Sequence, residues 1–106
     1  MEVRVLRYFI EVVQERNISN AAKRLHISQP TLSRQLMDLE RELGITLFER
    51  GHRQIKLTQE GYYLYERAQE ITGLVDKTET DLQSQRNIRY RDWRKYSYST
   101  SNDCNW

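Results

Sequence analysis

The sequence predicts a mainly α-helical fold, with three short helices forming a head and one long helix behind them. Three observations carry that expectation. Apolar residues recur three and four apart over most of the stretch from Val3 to Leu82. The single Pro, Pro30, and the glycine Gly44 stand where one of these periodic segments would begin and end. Strand-like alternation is confined to Gln54–Leu57, a stretch so short that hairpin and loop are equally good readings.

The first helix is expected from Val3 to Arg16, where Leu6, Phe9 and Val13 form an inward stripe flanked by Val5, Ile10 and Val12. Asn17, Ile18 and Ser19 interrupt it. Ser19 is positioned to cap a second helix from Asn20 to about His26, with Ala21, Ala22 and Leu25 facing inward. The two alanines allow a close, steep crossing with the next helix. That helix is expected to be capped by Ser28 and carries Pro30 in its first turn, where a missing N–H costs little. Leu32, Leu36, Leu39 and Leu43 make its buried stripe, and Gly44 supplies a left-handed stop. Each fully buried Leu contributes roughly 1.5–3 kcal/mol, so this row locates the helix.

Leu47 and Phe48 add a last core anchor before the polar stretch Arg50–Gln54. Thr58 can cap a long fourth helix from about Gln59 to Arg86. Its stripe, Leu64, Ala68, Ile71, Val75, Thr78 and Leu82, alternates four and three residues apart, the spacing of a coiled-coil seam. Such a helix is about 40 Å long, more than three short helices can cover, and a second copy is the simplest cover. The expected organisation is a head over 1–58, a dimerising linker helix over 59–87, and a disordered or non-native tail over 88–106, where apolar periodicity stops.

Composition narrows the function. At 106 residues, with 30% charged and 38% hydrophobic side chains, the chain fits one small soluble domain or one domain plus an extension. The lone Cys104 cannot form an internal disulfide, and two distant His residues with it make no metal constellation. No apolar run reaches membrane-spanning length, and Met1 is not followed by a signal peptide. There is no activated nucleophile, catalytic carboxylate pair or phosphate-binding glycine loop, so neither an enzyme nor a cofactor is expected. Residues 1–58 carry ten Lys or Arg against seven acids, whereas 59–87 carry three against six. A basic head with an acidic pairing helix suits nucleic acid, although an excess of three charges is also ordinary variation.

The third helix sharpens this. Two helices joined by a tight connection form a helix-turn-helix, and in such a unit the start of the second helix meets base edges in the major groove. Gln29, Thr31, Ser33, Arg34 and Gln35 populate that start, while Asp38, Glu40 and Glu42 follow only later. Acids at the start would oppose phosphate. Gln29 suits adenine, Pro30 or Thr31 a thymine methyl, and Arg34 guanine or a phosphate. Ser28 is fully explained as a cap, with a phosphate contact as its secondary role. Arg50, His52, Arg53 and Lys56 cluster at the supposed turn, where Arg53 is the best candidate to enter the minor groove. A solvated basic loop explains His52 and Lys56 equally well.

The run LRYFIEVVQERNISNAAKRLHISQPTLSRQLMDLERELGITLFER, followed by LTQEG, resembles the N-terminal region of LysR-type bacterial transcriptional regulators. The resemblance covers residues 1–87. It implies a winged helix-turn-helix whose linker helix forms a dimeric coiled coil. It places DNA contacts at Gln29, Pro30, Thr31, Ser33, Arg34 and Arg53. It also implies a cytoplasmic protein whose partners are double-stranded DNA and a second copy. Full-length members continue into an effector-binding domain. The stretch from Ile88 does not resemble the opening of one, so no effector ligand is expected here. The competing expectation is an interaction protein whose long helix captures full-length relatives and withdraws them from DNA. Such an inhibitor would not need the polar face from Gln29 to Arg34.

Overall fold

The computed structural model describes residues 1–49 and 54–84. Its elements run α1 (Val3–Glu15), α2 (Ile18–Leu25), α3 (Gln29–Leu43), β1 (Phe48–Glu49), β2 (Lys56–Leu57) and α4 (Gln59–Ser84). The tail expected at 88–106 and the basic positions Arg50, His52 and Arg53 lie outside the described residues.

α1 buries Val5, Leu6, Phe9 and Val12, whereas Val13, expected in the inward stripe, is only half-buried. It stops at Arg16, which adopts a left-handed conformation (φ 60°) and donates its N–H to the Val12 carbonyl at 2.8 Å. α2 begins two residues earlier than the sequence suggested. Asn17, not Ser19, is the cap: its Oδ1 accepts the Asn20 N–H at 2.9 Å. The earlier start puts Ile18 on the same face as Ala21, Ala22 and Leu25, all packed in or against the core. Ser19 is thereby left on the outer side of the first turn.

α3 is bounded as its residues suggest. Ser28 Oγ accepts the Thr31 N–H at 3.2 Å, and Gly44 closes the helix at φ 71°. Leu32, Leu36 and Leu39 are buried, but the fourth leucine of the row, Leu43, is 36% exposed. The last turn of α3 outruns the core, so Leu43 opens onto a surface groove instead.

Lys56–Leu57 resolves the hairpin-or-loop question. It pairs antiparallel with β1, Phe48 opposite Leu57 and Glu49 opposite Lys56. The Phe48 ring sits 5.6 Å from that of Phe9, tying the hairpin to α1. Backbone bonds clip its base on two sides, from Ile55 N–H to the Arg16 carbonyl (3.2 Å) and from Thr58 N–H to the Leu47 carbonyl (3.0 Å). Glu40, in α3, accepts the Leu47 N–H at 2.7 Å. The hairpin is therefore anchored to both α1 and α3.

Thr58 caps α4 as expected, accepting the Gly61 N–H at 3.0 Å and donating to the Thr46 carbonyl. Gly61 sits where α4 crosses the hairpin base: an added Cβ would run into the Leu47 carbonyl oxygen and press on Leu57 at 3.0 Å. Residues Met1–Gly73 form one compact unit, so the first turns of α4 belong to the head. Leu64 and Ala68, assigned from their spacing to a dimer seam, are buried in that unit's own core together with Thr72. They face their own chain, as members of the cluster that forms the head's core. The unit beginning at Leu74 is described only as the last turns of α4. There Leu74 is 64% and Leu82 46% exposed, and Lys77 pairs with Asp81 at 2.9 Å along the helix.

Candidate nucleic-acid interface

The start of α3 is presented to solvent by the burial of its other side. Leu32 and Leu36 point inward, leaving Gln29, Pro30 and Arg34 exposed and Thr31, Ser33 and Gln35 half-buried. No acidic residue occupies the first turn. Arg34 forms no ion pair with any described residue, so its guanidinium is available to an anion or a base edge.

The later acids are all occupied. Asp38 accepts from Arg41 at 2.9 Å, Glu40 from the Leu47 N–H at 2.7 Å, and Glu42 from the N-terminal ammonium. Each such contact offsets negative charge that would otherwise oppose a polyanion. Arg24, by contrast, is committed within the head, contacting Glu11 (3.0 Å) and Glu15 (3.2 Å) and strapping α2 to α1. Lys56 is exposed and lies 4.0 Å from Glu49 across the hairpin, a weak surface pair. The sequence-derived interface residues thus divide. Ser28, Gln29, Pro30, Thr31, Ser33 and Arg34 lie together at the start of α3, and Lys56 stands on the hairpin.

Two hydroxyl bonds at this face escaped the sequence reading. Ser28 Oγ, besides capping, donates to Thr31 Oγ1 at 2.8 Å. Ser19 Oγ donates to Gln29 Oε1 at 2.9 Å, bridging α2 and α3. The only sequence signal for the second was a hydroxyl residue on the first turn of α2, which capping seemed to explain.

A second surface lies beside the hairpin base. Met1, Leu43, Ile45, Tyr63, Leu64 and Ile71 line an apolar groove of about 670 Å³, with Gln59, Glu60 and Arg67 at its rim. Arg67 lies over the Tyr63 ring at 5.3 Å and pairs with Glu70 at 2.8 Å.

Comparison with known proteins identifies this arrangement. The family model for bacterial regulatory helix-turn-helix proteins of the lysR family matches residues 3–62, more than half of the chain. The chain belongs to the LysR family. Among curated relatives, it is 51% identical over 77 residues to the HTH-type transcriptional regulator BenM of Acinetobacter baylyi, covering 73% of this chain and 25% of that one. It is 54% identical over 84 residues to the regulator BsdA of Bacillus subtilis, covering 78% of this chain and 29% of that one. The LysR-family chain thus spans about a quarter of the length of these relatives.

Solved structures show the same fold. The BenM DBD in complex with benA site 1 DNA superposes with a TM-score of 0.79 at 45% identity, covering 82% of this chain and 98% of that one. The CbnR DBD–DNA complex gives 0.75 at 44% identity, covering 79% of this chain and 97% of that one. The helix-turn-helix is α2–α3, and the β1–β2 hairpin is the wing of a mainly α winged helix-turn-helix.

Proposed function

We propose that this LysR-family chain is a sequence-specific double-stranded DNA-binding unit of a bacterial transcription regulator, working as a dimer in the cytoplasm. The observation that carries the reading is the acid-free start of α3, where Gln29, Pro30, Thr31, Ser33 and Arg34 are displayed over a row of buried leucines. That end enters the major groove, with Arg34 on a guanine or a phosphate. The wing follows the backbone into the adjacent minor groove, Arg53 leading and Arg50, His52 and Lys56 on phosphates. Ser28, whose proton is held by Thr31, acts through the cap and the exposed amides it organises.

Pairing runs through α4. With Leu64 and Ala68 taken up inside the head, the pairing seam runs from Ile71 at the groove through the exposed or half-buried Leu74, Val75, Thr78 and Leu82. The two recognition helices of a dimer then address two half-sites.

Selection of bound fragments from random duplex DNA tests the reading. A paired, spaced motif is expected, with affinity falling steeply as salt rises. Arg34→Ala is expected to weaken the selected site by about 1–3 kcal/mol and relax preference at one position. Enrichment of no sequence would reject the proposal. The exposed apolar groove and Leu74 favour a second reading, capture of full-length relatives through α4. A protein of that kind alone would form mixed dimers yet leave DNA unselected.

A further inference from the structure

We infer that Ser19 is a positioning residue for base recognition: it holds the Gln29 amide with its carbonyl oxygen toward α2 and its NH2 group on the side away from Ser19, so that Gln29 reads as a hydrogen-bond donor. The inference rests on the DNA-binding reading above and adds to it a residue of α2, outside the recognition helix, together with a direction of recognition.

The geometry is short-range and rigid at one end. Ser19 has a single side-chain torsion and sits in the first turn of α2, whose inner face is locked by Ala21 and Ala22 in the core. Its Oγ donates to Gln29 Oε1 at 2.9 Å. Gln29, exposed at the first position of α3, has three side-chain torsions to immobilise on binding. Ser19 takes up part of that ordering in the free protein, a form of preorganisation. Because a carboxamide presents oxygen on one side and NH2 on the other, fixing the oxygen on Ser19 leaves the NH2 group on the side away from Ser19, with its N–H donors open to a base.

The neighbouring hydroxyl is set in the same sense. Ser28 donates to Thr31 Oγ1, so the outward proton at Thr31 is its own. With Arg34, which has no ion pair among the described residues, one turn on, the first two turns of α3 offer donors at Gln29, Thr31 and Arg34. Purine N7, guanine O6 and thymine O4 are the major-groove partners for such a face. The two-bond embrace of adenine, which needs the amide oxygen as an acceptor from N6–H, is disfavoured because the bond from Ser19 turns that oxygen toward α2.

The experiment begins with duplexes selected by the wild-type protein. Gln29→Ala locates the base pair whose preference depends on Gln29. Ser19→Ala is then expected to lower affinity for the selected duplex about three- to tenfold and to narrow discrimination at that pair alone. Ser19→Thr, which keeps the hydroxyl, is expected to restore both. Exchanging each adenine of the half-site singly for purine, which lacks the 6-amino donor, should leave the Gln29-dependent preference in place.

Discrimination by Ser19→Ala equal to wild type overturns the inference, and so does an equal loss at every base pair, which marks Ser19 as a backbone contact. Loss of the whole Gln29-dependent contribution on one adenine-to-purine exchange overturns the outward-donor orientation. A wild-type protein that enriches no sequence overturns the DNA-binding reading itself, a distinguishable failure. Asn17, which caps α2, is unchanged throughout, so thermal unfolding of Ser19→Ala should match wild type.

Discussion

α3 and α4 carry apolar rows of the same four-and-three spacing, yet the two rows meet different surroundings. Leu32, Leu36 and Leu39 of α3 are all buried within the head. In α4 the row begins buried at Leu64 and Ala68, but Leu82 is 46% exposed and the neighbouring Leu74 64%. A periodic stripe states which side of a helix is apolar. It does not state whether the chain itself or another molecule covers that side.

Matched substitutions break this comparison most directly. Leu32→Ala should cost about 2–5 kcal/mol of unfolding free energy by leaving a cavity in the core. Leu82→Ala should cost the isolated chain almost nothing and instead weaken self-association, read by equilibrium sedimentation alongside denaturant titration. Equal losses of stability for the two would show that Leu82 is covered within its own chain. Ile71 makes a poorer probe of pairing, since it packs against the head core and a charge there disturbs both.

Next in size is Gly61→Ala, expected to cost about 1–3 kcal/mol because the added methyl meets a backbone carbonyl that cannot rotate away. Gly73→Ala, with open space around its Cβ position, is the internal control and should stabilise α4 by about 0.5–1 kcal/mol. The pair separates a glycine required by crossing geometry from one that is not.

Two smaller effects sharpen the reading of α2. Asn17→Ala should cost about 1 kcal/mol as a lost cap, whereas Ser19→Ala should leave stability unchanged. Smallest is His26→Gly. His26 holds φ at 60° in the turn between α2 and α3, so glycine there should raise stability by a few tenths of a kcal/mol. A falling melting temperature would show that the imidazole makes a contact worth more than the backbone strain.

The legible parts of the molecule were those decided within a few residues. Ser28 and Gly44 bound α3 because a cap needs only its own side chain and the amides of the next turn. The same local logic placed the cap of α2 at Ser19, whereas Asn17 caps it. The packing of Ile18 against the core goes with the earlier start, which no signal within one turn announced. Leu43 was misassigned for a related reason: periodicity continued past the end of the surface it was meant to cover. At the interface, the polar identities were readable at α3, while the Ser19–Gln29 bond, ten residues apart, was not.

By itself the sequence determined the existence of the helices, the bounds of α3, most of its buried leucines and its acid-free start, since each depends on a repeat of 3.6 residues or on a cap within one turn. The tertiary structure alone decided where Leu64 and Ala68 are spent, why Gly61 must lack a side chain, and which way Gln29 points. Those three outcomes turn on contacts between segments distant in the chain, whose meeting no local pattern encodes.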